Sequence, residues 1–178
     1  TDSTSAIELS NIEDGGGGGF VINGAEFFDH AGWSVSNAGD VNNDGFDDLI
    51  VGATGAAPNG NSSGSTYVVF GTDSTSAIEL STIEAEEGGG FVINGVDSSD
   101  NSGYSVSNAG DVNNDGFDDL IIGARFADPN GDSSGSAYVV FGTTSTNAIE
   151  LSNIEAAVGA RGGFVINGVD SSDNSGYS

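Results

Sequence analysis

Asp40-Val41-Asn42-Asn43-Asp44-Gly45-Phe46-Asp47-Asp48 returns without change as Asp111 to Asp119. Oxygen-bearing side chains stand at positions 1, 3, 5 and 9, and glycine stands at 6. A hard cation needs such a pattern, because calcium takes six to eight oxygens at about 2.3–2.6 Å and a short loop can wrap it. The expected ligands are the side chains of Asp40, Asn42, Asp44 and Asp48, with the backbone carbonyl of Phe46 at position 7. In the second copy they are Asp111, Asn113, Asp115, Phe117 and Asp119. Gly45 and Gly116 fall where the bend needs a residue free of Cβ strain. A plain polar turn would use the same residue types, but it has no need of four carboxylates in nine residues that repel one another. A helical calcium motif wants Glu at position 12, where this chain has Val51 and Ile122. The segment after the bend, Leu49-Ile50-Val51-Gly52, is short, β-branched and stopped by glycine, and reads as a strand.

Working outward, the same step of 71 residues organises the chain. Thr1 to Ser10 recurs letter for letter as Thr72 to Ser81, and Phe20-Val21-Ile22-Asn23-Gly24 returns at Phe91 and again at Phe164. The chain divides as 1–71, 72–142 and 143–178, two full units and part of a third. Each unit carries four strand-like runs, typified by Trp33–Asn37, Asp48–Gly52, Ser65–Phe70 and Phe91–Asn94. No sustained helical period is present. Leu49-Ile50-Val51 and Tyr67-Val68-Val69-Phe70 are apolar at consecutive positions, so both faces of their sheet should be covered. Four-stranded sheets covered on both faces and repeated with short connections are the blades of a propeller. The expected fold is therefore all-β, a partial β-propeller of about two and a half repeats, with blades over 33–95 and 104–168. Phe20–Gly24 is then the outer strand of a blade whose first three strands are missing. Two blades do not close a ring, so further repeats or further copies of the chain are expected partners for its open faces.

These residues resemble a known family. Gly32-Trp33-Ser34-Val35, then Gly39 to Ala53, then Gly64-Ser65-Thr66-Tyr67-Val68-Val69-Phe70-Gly71, are similar to an FG-GAP repeat, the blade of integrin α-subunit N-terminal propellers and of many bacterial surface proteins; the match recurs from Gly103 to Gly142. The family's Phe-Gly is here Ala31-Gly32 and Ser102-Gly103, and its Gly-Ala-Pro is Gly52-Ala53-Thr54 and Gly123-Ala124-Arg125. The resemblance implies calcium in the hairpin between the first two strands of each blade, two ions in all. It also implies an extracellular or cell-surface setting, bacterial in type, and adhesion or protein recognition rather than catalysis. The competing reading is a non-catalytic accessory domain of a large secreted hydrolase or lyase.

Composition bounds the partners. The formal charge is −25, with 27 acidic residues against two arginines and no lysine. Such a surface repels nucleic acid and anionic membranes, both of which are bound through Lys and Arg. It favours cations and solubility in salt. No cysteine is present, which removes disulfides and thiol chemistry. No apolar run is long enough to span a bilayer as a helix. No signal peptide opens the chain at Thr1, and a start at Thr is expected to follow trimming. The ligand, protein or glycan, has no readable pattern in the Gly-, Ser-, Asn- and Asp-rich loops. Trp33, Tyr104 and Tyr177 are equivalent inner-strand aromatics, expected to pack between blades rather than to hold a sugar. His30, a lone histidine whose counterparts are Asn101 and Asn174, is expected in solvent, and no nucleophile has a partner base. Asp47 and Asp118, at position 8, are expected to point away from the ion. Gly15–Gly19 reads as a slack loop, and Asn61-Ser62-Ser63 is a chance glycosylation sequon.

Overall fold

The computed structural model describes residues 9–13, 19–156 and 162–178. The glycine run at 15–18 and Arg161 lie outside the described residues. Two antiparallel four-stranded sheets form the body. The first joins β2 (Ala31–Gly39), β3 (Asp48–Ala53), β4 (Ser65–Val69) and β6 (Gly90–Asn94); the second joins β7 (Ser105–Gly110), β8 (Asp119–Ala124), β9 (Ser136–Val140) and β11 (Gly163–Asn167). The register repeats, with Val51 opposite Val35 and Tyr67 in one sheet and Ile122 opposite Val106 and Tyr138 in the other. This is a mostly β chain of propeller-type repeats, and a partial propeller of two blades accounts for it.

Two short parallel pairings accompany the blades, one in a separate two-stranded sheet and one on the outermost strand of the first blade. β1 (Ile22–Asn23) pairs with β5 (Ile78–Glu79), and β6 pairs with β10 (Ile149–Glu150). Of the expected Phe20–Gly24 strand, Ile22 and Asn23 are extended and paired. Short helices follow β5 and β10, namely α2 (Leu80–Glu84) and α3 (Leu151–Ala156), and α1 (Leu9–Glu13) lies near the start. The residue pattern had predicted no helix. One turn is too short to set up an apolar period, yet each of α2 and α3 places two apolar residues three apart against a blade: Leu80 with Ile83, and Leu151 with Ile154, all buried.

The apolar runs of β3 and β4 are covered on both sides, and those of β8 and β9 on the side that faces the first blade. One core cluster fills the space between blades, where Ile50, Val68, Phe91 and Ile93 of the first meet Leu120, Ile122, Tyr138 and Val140 of the second, together with Leu151 and Ile154. The other lies on the far face of the first blade, where Val51, Tyr67, Val69 and Val92 pack with Leu80 and Ile83. The inner strands β2 and β7 lie side by side. Ser34 Oγ donates to the Gly103 carbonyl at 2.8 Å, and Ser105 Oγ repeats the bond to Gly176 at 2.9 Å. This close approach needs glycine: a Cβ on Gly52 would run into the Gly103 carbonyl and Ser34 Oγ, and one on Gly123 into the Gly176 carbonyl and Ser105 Oγ.

Identical residues thus have different surroundings in the two blades. Ile93 is buried between blades, whereas its counterpart Ile166 is half exposed. Ile93→Ala should cost about 2–5 kcal/mol of unfolding free energy in denaturant titration, and Ile166→Ala less than about 1 kcal/mol. Equal losses would show that blade packing is not what buries Ile93.

Candidate metal-binding bends

Each bend is built from the strand before it. The chain leaves β2 through Gly39 (φ 74°), and the ladder shifts register between Asn37 and Gly39. Asn43 (φ 58°) and Gly45 (φ 92°) then take left-handed backbone, as do Asn114 (φ 61°) and Gly116 (φ 94°). Asn tolerates that region and Gly is free in it, so the two residue types sit where the turn requires them.

The side chains fold inward onto the bend's own amides. Asp40 accepts from Asp44 N–H and from Gly45 N–H, one on each oxygen, both at 2.9 Å. Asn42 Oδ1 also accepts from Asp44 N–H at 2.9 Å, and its Nδ2 donates to Asp44 Oδ2 at 2.8 Å. Asp44 Oδ1 accepts from Phe46 N–H at 2.9 Å. Asp111, Asn113, Asp115 and Phe117 repeat every one of these bonds within 2.8–3.0 Å. Three of the five residues singled out in each bend are therefore drawn together. The Phe46 side chain faces outward, half exposed.

Asp48 and Asp119 are placed differently. Both are fully buried. Asp48 Oδ2 accepts from Val41 N–H at 2.9 Å and Oδ1 from Gly71 N–H at 2.8 Å. Asp119 does the same with Val112 and Gly142, at 2.9 Å each. Position 9 thus ties the bend to the strand exit at Gly71 or Gly142. Burial pushes the Asp48 carboxyl up to about 6, against the two amides that favour its charged form, and the charges of Asp44 and Asp40 push the same way. Among the described residues no group of three or more His, Cys, Asp or Glu side chains is gathered as a metal-holding cluster.

The donor chemistry suits calcium on two counts. The groups facing the bend are hard oxygens. An oxygen that accepts a single N–H keeps a second lone pair, so the amide bonds order the bend without using up its acceptors.

Position 8 has a role that its place in the motif did not predict. Asp118 Oδ2 accepts from Asp40 N–H at 2.9 Å, and Asp118 N–H donates to the Asp40 carbonyl at 3.2 Å. Asp118 therefore fastens the first bend to the second blade. Thr143 N–H adds a bond to the Val41 carbonyl at 2.8 Å. Nothing in a single bend signals this, since the partner is 78 residues away.

A second set of acids sits at the opposite ends of the strands. Asp29 and Asp100 are buried, and each accepts from the amide three residues before it, Glu26 or Asp97, at 3.2 Å. Asp100, Asp97, Asp128 and Glu155 line a cavity of about 310 Å³. Desolvation pushes Asp100 up to about 6, helped by the charge of Asp97, and raises Asp29 as well. The phenols of Tyr67 and Tyr138 hydrogen-bond Glu84 and Glu155. The recurrence of Asp29 as Asp100 and Asp173, and of Glu84 as Glu155, was the available signal.

Trp33, Tyr104 and Tyr177 stack on one another with ring centroids 5.6 and 5.3 Å apart. The Arg125 guanidinium lies 4.1 Å from the Tyr104 ring centroid and 4.0 Å from that of Phe126, and Nη1 donates to the Tyr104 hydroxyl at 3.1 Å. The aromatics thus pack blade to blade.

Residues 31–69 and 102–140 match the model of the FG-GAP repeat. The chain carries two FG-GAP repeats. Each match runs from the inner strand through the acidic bend to the third strand of a blade. No curated protein matches the chain. FG-GAP repeats point to a propeller-like recognition or adhesion domain of the kind found in extracellular and surface proteins. Among the described residues no helix is long and apolar enough to cross a membrane.

The raised pKa of Asp100 predicts a pH response. A carboxyl with a raised folded pKa binds more protons in the folded than in the unfolded chain, so its contribution is largest below pH 4 and is lost as pH rises to about 6. In metal-free buffer the unfolding free energy should fall between pH 4 and pH 6, and Asp100→Asn should flatten part of that slope. A wild-type slope retained in full by Asp100→Asn would show that Asp100 titrates at its ordinary value.

Proposed function

We propose that both bends bind calcium and that the chain is a calcium-stabilised, non-enzymatic propeller segment serving adhesion or recognition outside the cell. The observation that carries this reading is the duplicated bend, whose oxygens are ordered in the same way in both repeats by the bend's own amides.

Asp40, Asn42, Asp44, Asp48 and the Phe46 carbonyl would hold one ion. Asp111, Asn113, Asp115, Asp119 and the Phe117 carbonyl would hold the other. Calcium would supply positive charge to a cluster whose carboxylates otherwise repel one another at distances well inside the screening length of roughly 8 Å. The protein's part is to order the bend. Asn43 and Gly45 set the turn, and the amides of Asp44, Gly45 and Phe46 orient three side chains. Asp48 then ties that turn to the end of the third strand. An ion held there would stiffen the hairpin against both neighbouring elements, so its role is structural. Recognition would fall to the loops between strands, on a protein or glycan ligand.

Extracellular calcium modules bind with dissociation constants of about 10⁻⁴–10⁻³ M. At about 5 mM calcium each site then contributes on the order of 1–2 kcal/mol. Two sites should raise the melting temperature by about 4 °C or more over the EDTA-treated protein. The double variant Asp44→Ala, Asp115→Ala should lose that rise. A melt indifferent to calcium, followed by circular dichroism, would sink the calcium reading.

A further inference from the structure

The first bend is not completed by its own hairpin alone. Asp40, the first of its proposed ligands, is held at both ends. Its carboxylate oxygens take the Asp44 and Gly45 amides of the same bend. Its backbone N–H donates to Asp118 Oδ2 at 2.9 Å, and its carbonyl accepts from Asp118 N–H at 3.2 Å. A residue of the next blade thus grips both polar groups of the ligand's main chain. The approach is close. Gly39, at φ 74°, stands where a Cβ would overlap the Asp118 carboxylate and the Asn108 side-chain amide. One residue beyond Asp40, the Val41 carbonyl accepts from Thr143 N–H at 2.8 Å, and a Cβ on Gly142 would crowd that carbonyl. Asp118 takes no part in the bonds that order its own bend, which run among Asp111, Asn113, Asp115, Gly116 and Phe117.

We propose that Asp118 is a positioning residue for the calcium site of the preceding repeat, so that the affinity of the first bend is set in part from the second blade. The inference rests on the calcium reading above. A ligand already fixed in place binds without the cost of being ordered first. Residues that orient a metal ligand from outside the site commonly change metal affinity by about 10–100-fold. Asp118 acts through the main chain of Asp40, which carries the carboxylate into the bend. The coupling is reciprocal: an ion that favours the ordered bend also favours the hydrogen bonds of Asp40 with the second blade. Calcium in the first bend then joins the two repeats as well as bracing one hairpin. An acid close to the bend would also raise affinity by charge alone, without positioning anything, and the two effects respond differently to substitution.

Isothermal titration of calcium into the full chain tests this. Asp118 belongs to the second bend, so the measurement uses the Asp115→Ala background, in which the first bend alone is left to bind. There Asp118→Ala should weaken calcium by about tenfold. Asp118→Asn keeps an oxygen able to accept from Asp40 N–H and should hold the affinity within about threefold of the parent, the size of an exposed charge effect. Asp47→Ala removes the acid at the same position of the first bend itself and should also stay within about threefold. Hydrogen exchange gives the reciprocal reading without altering Asp118. In the Asp115→Ala parent, calcium should slow exchange at the Asp118 amide, on the other blade, several-fold. Where Asp118→Ala does not fold by circular dichroism, this exchange measurement decides. Equal weakening by Asp118→Ala and Asp118→Asn would assign the effect to charge and overturn the positioning role. An unchanged affinity in Asp118→Ala overturns it too, as does an Asp118 amide indifferent to calcium. Absence of binding at the first bend also overturns it, whereas absence at both bends, read with Asp44→Ala for the second, removes the calcium reading itself.

Discussion

A carboxylate with both oxygens turned to backbone amides, buried at the foot of each hairpin, is the constraint on which the rest of a blade depends. Asp48 holds Val41 N–H on one oxygen and Gly71 N–H on the other. The first partner is in the bend and the second is where the chain leaves the third strand. One side chain therefore sets the distance between a loop and a strand end that are otherwise joined only through β3 and β4. Burying a charge is costly unless it is hydrogen-bonded, and the two amides supply those bonds.

The second blade is fastened to the first through the same bend. Asp40 uses its side chain for the turn and its backbone N–H and carbonyl for Asp118. The order of the bend and the docking of blades are consequently one problem. Loss of the turn would withdraw the Asp40 amide from Asp118, and loss of the neighbouring blade would expose Val41. The exposed bend at Asp111, identical in sequence and in internal bonds, has the first kind of support and lacks the second.

Much of this was legible in the residues alone. Leu49-Ile50-Val51 and Tyr67-Val68-Val69 announced strands buried on both faces because unbroken apolar runs of that length have few other uses. The position of Gly45 announced the turn, since few residues accept its backbone angles. The hidden features were of two kinds. The helices at Leu80 and Leu151 are single turns stabilised by tertiary contact, with no period to read. The role of Asp118, the clamp at Asp48 and the contrast between Ile93 and Ile166 depend on partners far along the chain. Identical letters cannot report different surroundings. The equivalence of Asp48 with the other bend acids was drawn from spacing, and burial is what sets it apart.

The heavy acidity acquires a physical meaning from these contacts. Twenty-seven carboxylates with two arginines would be a liability for a core held by ion pairs. Here the buried acids Asp29, Asp48, Asp100 and Asp119 find backbone amides instead, and the cationic Arg125 rests on aromatic rings. An amide donor is neutral and fixed by the fold, so each such acid acts as a staple between segments whatever the salt. The surface acids are left to repel one another and to keep exposed β edges of neighbouring molecules apart.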